Sequence, residues 1–200
     1  MRDVIREILG RYEPPSQDVS HLMPAAVMLL LHERDGVEHL LFQVRTQHVE
    51  HHKGEISLPG GARDPEDVDL LATALRETEE EIGVRAAHIE VFGRLPDMPT
   101  RSNFAMTPFV GAITEAGPYP FRFADIEVAE LLEVPLPRLL SGEALEWTPL
   151  PGGAVMPAFR QDHHLIFGAT ARVVDGFLRL LAEHGGLGEQ PSTPAEVRSA

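Results

Sequence analysis

The sequence predicts an α/β domain with helices packed against a mixed β-sheet, and three observations carry that expectation. Apolar runs of strand length occur at residues 25–31, 39–45, 89–95 and 107–114. Two long stretches, 64–84 and 169–184, instead repeat their apolar residues at helical spacing. Strands interleaved with long helices imply helices covering a sheet, although the order alone leaves the topology open. A chain of 200 residues that is 43% hydrophobic holds one core and is short for two. Residues 1–184 are therefore expected to form a single domain, and 185–200, small, polar and Pro-bearing, a disordered tail.

Each element has its local reason. Residues 2–12 read as a short helix with Val4, Ile5, Ile8 and Leu9 on one stripe, stopped by Pro14-Pro15. The run AAVMLLL at 25–31 has the length of a buried strand, and Asp35-Gly36 turns it into a hairpin with 39–45. A short strand is expected at 55–58, just before Pro59-Gly60-Gly61. The helix over 64–84 is marked at both ends: Asp64 as N-cap, Pro65 at the first position, Glu66 and Asp67 at the positive terminus, and Gly83 as left-handed C-cap. Val68, Leu71, Ala72, Leu75 and Ile82 fall on one arc of it, and Glu77, Glu80 and Glu81 on the other. Short helical turns are expected at 127–132 and 136–140, and a hairpin broken by Pro149, Pro151 and Gly152-Gly153 over 147–159. The last helix, 169–184, sets Val173, Val174, Phe177, Leu178 and Leu181 on one face.

Composition excludes several classes. A formal charge of −14 argues against nucleic acid or an anionic membrane as partner, while leaving room for an anionic substrate bridged by metal. With no cysteine, neither a disulfide nor a thiol nucleophile is available. No run of about 18 apolar residues and no secretory leader occur, so a cytoplasmic protein is expected. Monomer and homodimer both stay open. Ten histidines, among them His48, His51, His52, His163 and His164, fit no compact zinc spacing and have no cysteine beside them.

Glu77, Glu79, Glu80 and Glu81 crowd the end of their helix, where like charges repel and the dipole disfavours anions, each effect by about 0.2–1 kcal/mol. Arg76 is one charge against four. A hard divalent ion such as Mg²⁺ or Mn²⁺, which takes carboxylate oxygens, compensates such a pattern. A plain solvated glutamate face is the other reading that the charge run leaves open.

Gly60-Gly61 followed by Arg76-Glu77-Thr78-Glu79-Glu80-Glu81-Ile82-Gly83-Val84 resembles the Nudix box, G-x5-E-x7-R-E-U-x-E-E-x-G-U with U aliphatic. The second half matches except at Thr78, which stands where U belongs. Counted back from Arg76, the box glycine would fall on Ala62 and its first glutamate on Val68, so the glycine pair lies further upstream. That longer spacing, and the lead-in Pro59-Gly60-Gly61-Ala62-Arg63-Asp64, is similar to the coenzyme A pyrophosphatase branch of Nudix hydrolases. So are the stretch from Leu40-Leu41 through Gly54 to Gly61 and the segments LPDMPTRSNFAMTPFVG and IFGATARVV. Within that pattern Glu50 replaces an arginine, Leu58 a phenylalanine and Asn103 a glycine.

The resemblance implies a Nudix-type α/β/α sandwich and metal-dependent hydrolysis of a nucleoside diphosphate linked to another moiety. Coenzyme A or its thioesters, cut to 3′,5′-ADP and 4′-phosphopantetheine species, are the substrates it points to. It implies Glu77 and Glu81 as chief ligands of Mg²⁺ or Mn²⁺, Glu80 as a further ligand or water-orienting base, and a carbonyl of Gly60 or Gly61 completing the set. Arg76 would orient a glutamate, and Glu79, near the apolar arc, would be structural. Glu127 matches an acidic position that supplies a base in some members; a solvated glutamate is its other reading. Arg45, Lys53, Arg63 and Arg101 are the basic residues best placed in sequence to meet substrate phosphates; plain surface charge is the other reading of each. Phe104, Phe121 and Phe123 either stack on adenine or pack in the core. Two alternatives stand beside this one: a Nudix hydrolase acting on ADP-ribose or another nucleotide diphosphate, and an inactive Nudix-fold regulator that binds nucleotide.

Overall fold

The structure, a computed structural model, describes residues 1–46, 54–115, 117–123, 126–150 and 154–187. The expected tail beyond Leu187, together with Lys53, Glu50, His48, His51 and His52, lies outside the described residues.

Strand β1 (Met23–Arg34) is the axis of a mixed sheet. It is buried on both sides from Ala25 to His32, so its side chains feed two cores. Val27, Leu29 and Leu31 point into one, with Leu40, Phe42, Phe177 and Leu181. Ala26, Met28 and Leu30 point into the other, with Leu41, Ala74, Ile82 and Val84. Helix α1 (Arg2–Arg11) and helix α4 (Gly168–Gly185) cover the first face, and helix α2 (Leu70–Ile82) the second. This is the α/β/α layering expected of the sequence.

Alongside β1, strand β7 (Phe104–Ile113) runs parallel from Met23↔Phe104 to Leu31↔Ala112. On the other edge β2 (Val37–Arg45) pairs antiparallel only from Leu31↔Leu40 to Arg34↔Val37, across a turn in which Asp35 and Gly36 both take positive φ. Beyond Leu40 the two strands part. Two short strands fill the gap: β3 (Ile56–Ser57) on β2, and β4 (Gly60–Ala62) on β1. Pro59 joins them and accepts a hydrogen bond from Met28 N at 2.8 Å. β5 (Ile89–Arg94) and β6 (Met98–Pro99) pair with β7, and β8 (Val128–Pro135) closes the outer edge of β2. Asn103 holds φ 66 in the β6–β7 turn, a left-handed position that asparagine accepts. After α3 (Leu136–Leu140), a second sheet of β9 (Leu145–Pro149), β10 (Val155–Gln161) and β11 (His164–Ile166) packs under α4.

Three expectations are corrected. Helix α2 starts at Leu70, not Asp64: Asp69 is the N-cap, accepting from Ala72 N at 2.8 Å, while 64–69 form a turn. Val68 is accordingly 84% exposed, and Thr73, Ala74 and Thr78 take the inward positions. Thr78 hides its hydroxyl by donating to Ala74 O at 2.6 Å, which lets it stand where an aliphatic residue was expected. Glu79 is exposed rather than against the core. Residues 127–132, expected as a helical turn, lie on the entry to β8, because pairing with β2 outweighs their local pattern. The short strands β4, β6 and β11 were not anticipated.

At the far end of α2, Gly83 caps the helix at φ 73, and a Cβ there would sit 2.9 Å from both Cβ and O of Arg122. Gly83→Ala is expected to destabilise the fold by at least about 1–2 kcal/mol, the cost of a left-handed L-residue, before the clash is counted. Urea unfolding of the two proteins checks it.

Candidate active site

The gap between β1 and β2 is where the carboxylates gather. Gly60 adopts φ 151, and a Cβ on it would lie 2.3 Å from Ala26 O. A Cβ on Gly61 would lie 2.5 Å from Glu77 Oε1 and 2.6 Å from its Cδ. Gly60 must be glycine to lie against the strand backbone, and Gly61 leaves the Glu77 carboxylate in place against the main chain.

Glu81 is 3% exposed. Its Oε2 accepts the Gly60 N–H at 2.8 Å, and Arg45 Nη1 stands 3.6 Å from Oε1. Burial pushes its carboxyl up to about 7, with the Glu77 charge adding to the rise; the Gln43 amide, the Gly60 N–H and Arg45 oppose it. Glu77 is also raised by burial; Arg76 works against that, whereas the charges of Glu80 and Glu127 reinforce it.

Arg76 organises the rest. Nη1 donates to Glu77 Oε1 at 2.9 Å and Glu80 Oε2 at 3.1 Å, while Nε and Nη2 donate to Asp67 Oδ1 and Oδ2 at 3.1 and 3.0 Å. Asp67 is buried, and its carboxyl is held well below the usual carboxylate range, first by Arg76 and then by the Asp64 N–H and the Thr73 hydroxyl. The guanidinium is thereby fixed from behind by one carboxylate and presents its front to two.

The remaining sequence candidates separate. Arg45 comes to Glu81. Glu127 is exposed, held by its carbonyl to Thr46 N at 2.9 Å, and its charge reaches Glu77. Arg63 instead braces the 64–69 turn, donating from Nη2 to Asp67 O at 2.9 Å and Val68 O at 3.2 Å. Arg101 stands in the exposed β6–β7 turn and makes no ion pair among the described residues. Phe121 packs edge-on to His32, and Phe104 is half-buried at the start of β7. Phe123 lines a cleft of about 630 Å³ with Glu79, Glu80, Arg85, His88 and Tyr119, directly beside the carboxylates. His163 and His164 stack on each other at 3.9 Å, and His164 faces Glu130.

Two residues went unassigned from sequence. Asp67 passed as a helix-start acid, since nothing local ties it to a partner nine positions on. Gln43 had a visible signal: one polar residue in the apolar run LLFQV.

The donors suit a hard cation. They are oxygens only, two of them on carboxylates whose ionised form burial disfavours, beside a glycine cradle that leaves backbone accessible. Among the described residues no three acidic or histidine side chains already close on a common point, and Arg76 Nη1 bridges Glu77 and Glu80. Glu77, Glu80, Glu81 and the carbonyls of Gly60 and Gly61 are the groups that would hold an ion.

The NUDIX domain profile matches residues 21–151. Over 138 residues the chain is 34% identical to the uncharacterized Nudix hydrolase NudL of Yersinia enterocolitica, covering 68% of this chain and 70% of that protein. The chain belongs to the Nudix hydrolase family. A NudL of Yersinia pestis is 41% identical over 102 residues, 51% of this Nudix chain and about half (50%) of the relative's length. The crystal structure of a MutT protein from Methanosarcina mazei shares the fold, with a TM-score of 0.53 at 18% identity over 82% of this chain and 95% of that one. Nudix enzymes generally use divalent metals, which agrees with the donor set found here.

The raised Glu81 carboxyl sets a pH dependence in the metal-free protein. Between its ordinary 4.5 and about 7 the folded state holds a proton that the unfolded chain has released, so stability falls as pH rises through that window. Glu81→Gln is expected to flatten the fall, by up to about 3 kcal/mol, in urea unfolding with chelator at about pH 5 and about pH 8.

Proposed function

We propose that this Nudix pyrophosphohydrolase cleaves the diphosphate of coenzyme A or its thioesters, giving 3′,5′-ADP and a 4′-phosphopantetheine species, with Mg²⁺ or Mn²⁺ as cofactor. The observation that carries the substrate is the segment from Leu40 to Gly61. It bears the branch's pattern, and among its described residues Arg45 stands against Glu81 and Gly61 against Glu77. The reading includes a cytoplasmic enzyme folded as one unit over residues 1–184. No helix among the described residues is long and apolar enough to cross a membrane.

Hydrolysis adds water across a P–O–P bond: the water oxygen stays on one phosphorus, the bridging oxygen leaves with the other, and a proton is released. A divalent ion bound here supplies charge neutralisation at phosphate oxygens and activation of water. The chain's own part is positioning. Arg76, anchored on Asp67, keeps Glu77 and Glu80 at fixed separation, and the Gly60 N–H fixes one oxygen of Glu81. Glu127, exposed and near enough for its charge to act on Glu77, is a group able to accept the proton. Arg45 and the cleft beside Glu80 are where the two halves of the substrate extend.

A second reading, hydrolysis of ADP-ribose or another nucleotide diphosphate, is favoured by Glu50, an acid where the branch carries arginine. Assay of coenzyme A, ADP-ribose and dinucleoside polyphosphates with Mg²⁺ and with Mn²⁺, products identified by mass, decides between them. Coenzyme A is expected to exceed the others in kcat/KM by at least about tenfold; the reverse order gives the site to the second reading. Glu81→Gln is expected to lower kcat by at least about a hundredfold. Nucleotide binding without turnover on any of these would make the chain a regulator instead.

A further inference from the structure

Strand β2 carries one fully buried polar side chain in an apolar run. Gln43 follows Leu40, Leu41 and Phe42, and all four are 0% exposed. A buried amide is costly unless its hydrogen bonds are made. Here Nε2 donates to Ser57 Oγ at 3.2 Å, and Oε1 has no hydrogen-bond partner among the described residues. Packing gives no reason for that arrangement, because a methionine of similar length would fill the site without leaving an acceptor unmet.

The reason lies across the sheet. Residues 41, 43 and 45 share one face of β2 by strand alternation. Leu41 joins the core beneath α2, and Arg45 stands at Glu81 Oε1, so Gln43, between them on that face, is set between core and carboxylate with its amide within hydrogen-bonding range of Glu81. Ser57, paired with Gln43 across β2 and β3, stands behind the amide. Glu81 is therefore held by the Gly60 N–H and neighboured by a side chain that is itself backed.

We propose that Gln43 is a positioning residue of the active site: backed by Ser57, its amide fixes the plane of the Glu81 carboxylate, so that the oxygen facing Arg45 is presented to the ligand side. The inference rests on Glu81 being a ligand of the catalytic ion. Groups that orient a metal-binding side chain are worth about 10–100-fold in affinity or activity.

The test uses the full chain freed of metal by chelation, with Mn²⁺ binding followed by the electron paramagnetic resonance of free Mn²⁺, and steady-state kinetics on the best diphosphate substrate. Gln43→Met is expected to weaken Mn²⁺ binding by about tenfold and to lower kcat by a similar factor, with KM unchanged and the urea midpoint not lowered. Ser57→Ala is expected to do the same more weakly, and to add little once Gln43 is methionine, because both act through one chain of contacts. Glu81→Gln is the reference. If it weakens Mn²⁺ binding while Gln43→Met and Ser57→Ala do not, Gln43 is only a packing residue and the proposal falls. If Glu81→Gln itself leaves Mn²⁺ binding intact, the assignment of Glu81 as ligand fails, and the proposal with it. A lower urea midpoint in Gln43→Met with unchanged Mn²⁺ affinity also overturns it.

Discussion

The site depends on how closely a backbone can approach a carboxylate. Where β1 and β2 part, the chain passes between the strand on one side and helix α2 on the other; a methyl group at Gly60 would meet the backbone of Ala26 and Val27, and one at Gly61 would displace the Glu77 carboxylate. Everything else follows from that fit. The Gly60 N–H reaches Glu81, Glu77 rests on Gly61, and α2 must lie across the gap for either contact to exist. A sheet that stayed paired from end to end would offer no such seat.

Having gathered acids, the fold must keep them apart from one another. It does so with one guanidinium clamped between buried Asp67 and two acids of the helix, Glu77 and Glu80, which spreads a single positive charge over three partners. Asp67 is the less conspicuous half of this arrangement. It lies in a turn that Arg63 and Thr73 also hold, so the position of Arg76 is set by the loop before the helix and not by the helix alone. The helix supplies spacing, and the loop supplies aim.

Much of this was legible in the sequence. The central hairpin, the C-terminal cap at Gly83, the short helix α3 and the long helix α4 follow from local pattern and turn chemistry. Misreadings occur where a tertiary partner decides. Asp64, Pro65, Glu66 and Asp67 look like the start of a helix, but Arg76 draws Asp67 into an ion pair that needs a turn, and Asp69 takes the cap. The entry to β8 carries a helix-like pattern and becomes strand because the edge of β2 is open to it. At the site, Glu77, Glu80 and Glu81 were visible as an electrostatic anomaly, and the structure sets out their neighbours. Gln43 was visible only as an oddity of composition, since burial and the company of Glu81 are properties of the folded sheet.

The segment 117–123 shows a division within the molecule. It is pinned to the sheet through Gly117 O and His32, and to the end of α2 through Arg122 N and Ile82 O. Tyr119 and Pro120 between those pins, and Phe123 just after them, form one wall of the cleft. The exposed Pro120 and Phe123 can change with little effect on the acids beside them, whereas Tyr119, buried and hydrogen-bonded to His88, is tied to the core. Such an architecture lets selectivity drift while the reaction stays the same, so close relatives with identical chemistry can come to differ in what they accept.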